Sequence, residues 1–144
     1  MEIVVSPEFD FVMNQYPESI KSKLAFLCGL ILQTAAETPG IKRIEKTLKW
    51  GEPSFLTKQG STIRVGWKKS KPRQSKLGQY ALYFNCKTKL VDTFRECYSD
   101  IFNFEGNRAI VFEESDVLAI DELKHCIMLA LTYHKRKHLP LLGV

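Results

Sequence analysis

The chain has 144 residues, of which 44% are hydrophobic and 26% are charged, and it carries a formal net charge of +5 at pH 7. This composition excludes a disordered chain, and the length suits one domain, residues 1–144, whose core needs neither a metal nor a disulfide. The positive charge is mild, so it favours weak attraction to anions without specifying any class of them.

The cysteines and the first residues indicate in which cellular compartment the protein is expected. Four cysteines stand apart from one another in apolar runs, without a C-x-x-C pair, which predicts buried free thiols in a reducing environment. The start, MEIVVSPEFD, carries acids where a secretion signal needs basic residues. The longest apolar stretch, residues 24–32, is too short to span a bilayer. We therefore expect a cytoplasmic protein.

Three helices are predicted before residue 50. A Ser-Pro pair opens a short helix over 8–14, and a longer one follows over about 17–37, where apolar residues recur along one stripe. A Pro-Gly pair ends that helix. Three apolar residues on one face then predict a third, short helix over 41–48.

After Gly51 apolar residues alternate with polar or small ones, which is typical of β-strands. Residues 54–57 and 62–67 are predicted to be antiparallel strands joined by a tight turn, with Arg64 and Trp67 on opposite faces of the second strand. A polar loop separates them from a third strand at 79–85.

Helical spacing returns at 88–98, followed by a Gly-Asn turn and a fourth strand within 104–112. The last helix is expected over about 121–137, with His134 continuing its buried stripe. Because βαβ repetition is absent, the fold class is α+β, a single compact domain in which a small, mainly antiparallel sheet packs against helices.

Familiar catalytic and cofactor motifs are missing. The chain has no Gly-rich phosphate loop, no H-E-x-x-H and no G-x-S-x-G elbow, so we predict no catalytic residue, cofactor or metal site. His134 and His138 have a metal-ligand spacing, but three basic residues lie between them and would repel a cation. His125 and Cys126 are adjacent on a helix and point in different directions.

Basic residues concentrate in the loop that follows Trp67. The loop over 68–76 is a candidate phosphate contact, supplied by Lys68, Lys69, Lys71, Arg73 and Lys76. The alternative is a solvated loop, which we favour because few aromatic residues are present to stack on bases. Nucleic-acid binding is therefore a minor alternative.

Polar residues that border the predicted strands form the main candidate site. If the helices cover one face of the sheet, these residues line the other face as a ligand-binding surface. They are Lys49, Trp50, Glu52, Arg64, Tyr83, Glu105, Asn107 and Arg108. The structural alternative is that Glu52 or Glu105 pairs with Arg64 or Arg108 and closes the sheet.

Four segments carry a family resemblance. LKWGEPSF, YALYFNCKTKLVDTFRE and FEGNRAIVF, followed by the helix LALTYHKRKH, resemble the YdhG-like family of bacterial domains of unknown function over roughly residues 15–138. The resemblance implies a compact α+β domain with an antiparallel sheet. Some relatives have been described as frataxin-like iron chaperones. An iron surface needs clustered carboxylates, and the nearest such group here is EESD at 113–116 in a chain of net positive charge.

The leading functional hypothesis is a non-catalytic module that binds a small polar or anionic ligand, or a protein partner. Lys49, Arg64 and Arg108 would supply charge, and Trp50 and Tyr83 would supply apolar contact. An enzyme without a familiar motif, with Glu52 or Glu105 as acid or base, is the alternative. An iron-chaperone role is a further one.

Overall fold

A seven-stranded sheet organises the molecule. The computed structural model describes residues 1–69 and 78–144. The strands are β1 Glu2–Val5, β2 Arg43–Lys49, β3 Glu52–Leu56, β4 Ile63–Lys69, β5 Gly78–Phe84, β6 Asn103–Glu105 and β7 Ala109–Phe112. Their order across the sheet is β1-β2-β3-β4-β5-β7-β6. β1 pairs with β2 in parallel, and every other neighbouring pair is antiparallel.

Helices pack against one face of this sheet. They are α1 Pro7–Met13, α2 Glu18–Glu37, α3 Leu90–Tyr98, α4 Ile120–Leu131 and α5 Tyr133–Arg136, and a 3-10 turn over Pro140–Gly143 follows. α1 contacts β2 and β3, α2 contacts β4 and β5, and α4 packs on α2, α3 and β4. The described chain is thus a single compact α+β domain, as the sequence predicts.

The core lies between the helices and the sheet because the strands alternate. Phe55, Val65 and Leu82 point toward the helices and are fully buried, and the rings of Phe9 and Phe55 meet edge to face at 5.5 Å. Removing a ring such as that of Phe55 would cost about 3–5 kcal/mol of stability. The intervening residues of the same strands face the other way, and we call this side the second face of the sheet.

The second face has a small apolar patch of its own. Ala81, Ala109 and Val111 form it, and the partly buried Tyr83 packs against them. Arg64 lies opposite Tyr83 in the ladder between β4 and β5, so the predicted orientation of Arg64, away from Trp67, is confirmed. The second face therefore presents polar side chains around a narrow apolar floor.

The predicted helix over 41–48 is wrong, because this segment forms strand β2. Ile44 points to the core, but the next position on that face is Lys46, which hides the alternating pattern. The ammonium of Lys46 lies 4.6 Å from the centre of the Phe9 ring, so its apolar stem occupies a core-facing position. Strands β1 and β6, of four and three residues, were not predicted.

The last predicted helix is interrupted at Thr132 and resumes as α5, and His134 does not face inward. α4 ends at Leu131, and Thr132 leaves the helical conformation with φ −121° and ψ 18°. His134 is exposed, and its backbone N–H donates to the carbonyl of Gln59 at 2.8 Å. The break turns the chain, so the apolar stripe of α4 does not continue through His134.

The prediction of buried thiols is correct for only two of the four cysteines. Cys28 and Cys126 are buried, Cys97 is half-buried and Cys86 is exposed. Burial raises the pKa of the Cys28 thiol to about 12. In the part of the chain that the structure describes, no helix has both the length and the apolar character needed to cross a membrane.

Candidate functional site

The turn between β2 and β3 places a large aromatic side chain in solvent. Lys49 pairs with Glu52, so Trp50 and Gly51 form a two-residue turn, with φ values of 52° and 73°. Positive φ at both positions is the type I′ pattern, which Asn-Gly adopts readily and which strains a bulky residue. Trp50 is nonetheless 83% exposed. Burial of the Trp50 side chain therefore contributes little stability to offset the strain of its backbone.

Arg64 connects this turn to the second face of the sheet. Its guanidinium lies between two rings, 5.0 Å from the centre of Trp50 and 5.1 Å from the centre of Tyr83. One of its N–H groups donates to the carboxylate of Glu52, and the Arg64 side chain is only 17% exposed. A planar guanidinium held by two rings and a carboxylate has little freedom of orientation.

Glu52 lies directly over a glycine of β4. A Cβ atom added to Gly66 would clash with Oε2 of Glu52 and would stand 2.8 Å from the Tyr83 ring, so alanine at this position would require one or both side chains to shift. Burial raises the pKa of Glu52, although the charges of Arg64 and Arg108 act in the opposite direction. Desolvation therefore outweighs the attraction of the ion pair at this carboxylate.

A groove of about 540 Å³ opens beside the turn, and we call it the Trp50 groove. Its described lining residues come from the β2–β3 turn, β4 and the residue before it, the end of β5, the loop before α3 and the turn before β7. They are Trp50, Thr62, Arg64, Phe84, Asn85, Cys86, Lys87 and Arg108. Three of them are cations and none is a carboxylate. The groove therefore combines positive charge with one exposed indole.

Hydrogen bonds hold the wall that carries Lys87 and Arg108. The side-chain amide of Asn107 donates to the carbonyl of Cys86 at 2.9 Å, and the N–H of Phe84 donates to the carbonyl of Arg108 at 2.7 Å. A guanidinium N–H of Arg95, on α3, donates to the carbonyl of Gly106. Asn107 thus positions the groove by joining the β6–β7 turn to the loop before α3.

The structure gathers most of the predicted site residues, but not all. Trp50, Arg64 and Arg108 line the groove; Glu52 and Tyr83 hold Arg64; Asn107 supports the wall. Two residues lie apart from the groove lining. Lys49 is exposed at the end of β2, and Glu105 forms an ion pair with Lys68 at 2.5 Å rather than with Arg108.

Sequence reasoning missed one wall of the groove. Thr62, Asn85, Cys86 and Lys87 line it, and nothing in the local pattern around them indicated a site. The three consecutive residues belong to the short loop between β5 and α3, where the Asn85 side chain accepts a hydrogen bond from the N–H of Lys87 at 2.8 Å. This loop lies beside the groove because β5, which precedes it, pairs with β4 and β7.

Other candidate positions have structural roles. Residues 70–76 of the basic loop and the side chain of Lys69 lie outside what the structure describes, and Lys68 is paired with Glu105. In the EESD segment, Glu113 accepts a hydrogen bond from Gln79 at 2.5 Å. His125 is hydrogen-bonded to the Tyr98 hydroxyl at 2.6 Å rather than to Cys126. Within residues 1–69 and 78–144, no three His, Cys, Asp or Glu side chains cluster so as to hold a metal ion.

A second concave region, of about 610 Å³, lies near Gly40 at the other end of β2 and β3. It also carries cations, but Glu45 is among its lining residues, and its described lining contains no aromatic ring. Arg43 in this region pairs with Glu2 at 3.5 Å. The Trp50 groove therefore has the more distinctive chemistry.

Comparisons with protein-family models, with curated proteins and with solved structures give no significant match to this chain.

Proposed function

We propose that this chain is a cytosolic, YdhG-like, non-catalytic module that binds a small anionic ligand in the Trp50 groove. The observation that carries the proposal is Trp50, which combines a positive backbone φ with an exposed indole at the rim of a cationic concavity. Bulky residues hold a positive φ only where the surrounding structure enforces it, and such positions are concentrated at ligand sites.

The charges around the groove favour an anion. Arg64 is partly neutralised by Glu52, whereas no described carboxylate forms an ion pair with Lys87 or Arg108. Residues 70–77 contain neither aspartate nor glutamate, so that segment cannot supply a counter-charge. Two cations that share one concavity and form no ion pair with a described carboxylate would be stabilised by a bound anion.

The state of the carboxylates supports binding rather than catalysis. A general acid or base needs hydrogen-bonding access to a substrate. Glu52 is engaged by Arg64 above Gly66, and Glu105 is engaged by Lys68. Neither carboxylate lines the groove, so the enzyme alternative lacks a group in the right place.

A thermal-shift screen against organic and inorganic anions tests the proposal. A ligand at about 100 times its dissociation constant should stabilise the protein by about 2.7 kcal/mol. Arg108→Ala should abolish the shift, and Trp50→Ala should reduce it for ligands that carry an aromatic ring.

Two surface substitutions serve as matched controls. Arg43→Ala removes an exposed cation outside the groove, and Phe11→Ala removes an aromatic side chain that is 67% exposed on α1. Both should leave the shift intact. Binding that survives Trp50→Ala and Arg108→Ala but responds to Arg43→Ala would place the site elsewhere.

A further inference from the structure

Resting on the proposed function, we infer that the ligand class of the Trp50 groove is a flat aromatic ring that carries a phosphate monoester, of nucleotide size. The groove lining separates into one aromatic side chain and a set of cations, and each part matches one part of such a ligand. The volume of the groove, its charge and the position of the indole support this ligand class.

The groove, with a volume of about 540 Å³, has room for an organic ligand. Organic ligands of drug size occupy sites of about 300–1,000 Å³, and the groove lies within that range.

The local charge matches a dianion. The groove lining carries three cations, Arg64, Lys87 and Arg108, and Glu52 pairs with the first of them, which gives 3 − 1 = +2. A phosphate monoester has a charge of about −1.5 to −2 at pH 7 and three acceptor oxygens. A bidentate guanidinium such as Arg108 and a mobile ammonium such as Lys87 are the usual partners of this group.

The indole supplies the second half of the recognition. Trp50 is 83% exposed although Arg64 lies over its ring, so most of its surface remains accessible to a ligand. A flat heterocycle stacked on an aromatic side chain typically gains about 1–3 kcal/mol, which is about 5-fold to 150-fold in affinity. Thr62 and Asn85 bring a hydroxyl and an amide to the same groove, where they can contact the polar edges of the ligand.

The test separates the ring from the phosphate. We expect adenosine monophosphate to bind at least about tenfold more tightly than either ribose phosphate or adenosine in calorimetric titrations of the full chain. Trp50→Ala should reduce the affinity for adenosine monophosphate to that for ribose phosphate, without changing the latter. Lys87→Ala should weaken both phosphates about tenfold and leave adenosine unchanged.

An internal control comes from the second tryptophan. Trp67 faces the helices and its ring meets Tyr16 at 6.5 Å, so its indole N–H resonance should not move on titration, whereas that of Trp50 should. Equal affinities for ribose phosphate and adenosine monophosphate, with Trp50→Ala silent, would overturn the ring assignment while anion binding stands. Binding of dicarboxylates but of no phosphate ester would overturn the phosphate assignment. No binding of any anion would remove the proposed function itself.

Discussion

Substitution of Trp50 separates the strain of the β2–β3 turn from the contacts of the indole. Trp50→Ala removes the contact with Arg64, which at an exposed site is worth about 0.5–1 kcal/mol, but keeps a Cβ at a φ of 52°. Trp50→Asn removes the same contact, and asparagine tolerates the left-handed region. The difference in free energy of unfolding between the two variants therefore measures the cost of the left-handed backbone at position 50, which is about 1 kcal/mol.

We expect Trp50→Ala to be less stable than the parent and Trp50→Asn to be more stable than Trp50→Ala by about 1 kcal/mol. For a chain of this size that difference corresponds to roughly 3–4 °C in Tm, and denaturant titration gives the free energy directly. Trp50→Gly should behave like Trp50→Asn. All three variants should lose the contribution of the indole to ligand affinity. Equal stability of the alanine and asparagine variants would refute the assignment of strain to this turn.

Three further predictions concern packing and pH. Gly66→Ala should lower stability by about 1–3 kcal/mol in urea titration because its Cβ meets Glu52, whereas Gly29→Ala in α2, with nothing within 4 Å, should raise it by about 0.5–1 kcal/mol. Burial lowers the pKa of His125, so its contribution to stability is present above about pH 6.5 and is lost as the pH falls through the lowered pKa. His125→Gln should flatten this dependence in Tm measurements. Glu52 has the opposite sign: its raised pKa gives a contribution that is present below about pH 4.5 and is lost as the pH rises, and Glu52→Gln should remove it.

Elements that are encoded by neighbouring residues were predicted correctly from the sequence. Elements that depend on contacts with distant segments were not. α2 was predicted within a residue of its observed start because its apolar stripe persists over 20 residues. β2 was mistaken for a helix because Lys46 occupies a core-facing position, and a lysine stem that packs on Phe9 cannot be told from a solvent-facing lysine in the sequence. β1 has four residues and depends on the later strand β2 for its hydrogen bonds.

The residues of the candidate site also divide into those that a local pattern predicts and those that only distant strand pairing brings together. Trp50, Arg64 and Arg108 were predicted because an alternating strand or a turn fixes where each side chain points. Lys87 joins them only because β5 lies beside β4 and β7, a pairing that joins segments distant in sequence. The left-handed backbone of Trp50 was equally hidden, since the dipeptide Trp-Gly carries little of the turn preference of Asn-Gly.

Three features that cost stability meet at the Trp50 groove. Trp50 is a bulky residue with positive φ. At Glu52 the desolvation that raises its pKa exceeds the opposing effect of the ion pair with Arg64. Lys87 and Arg108 line the same concavity and form no ion pair with a described carboxylate. A sequence optimised for this fold alone would place asparagine at position 50 and a carboxylate beside Arg108. Leu141 and Leu142, in the C-terminal turn, also have positive φ, but the groove combines three different departures from local rules in one place. Such a combination is expected where a ligand supplies the missing interactions. This coincidence supports the proposed ligand site more strongly than any one of its residues does.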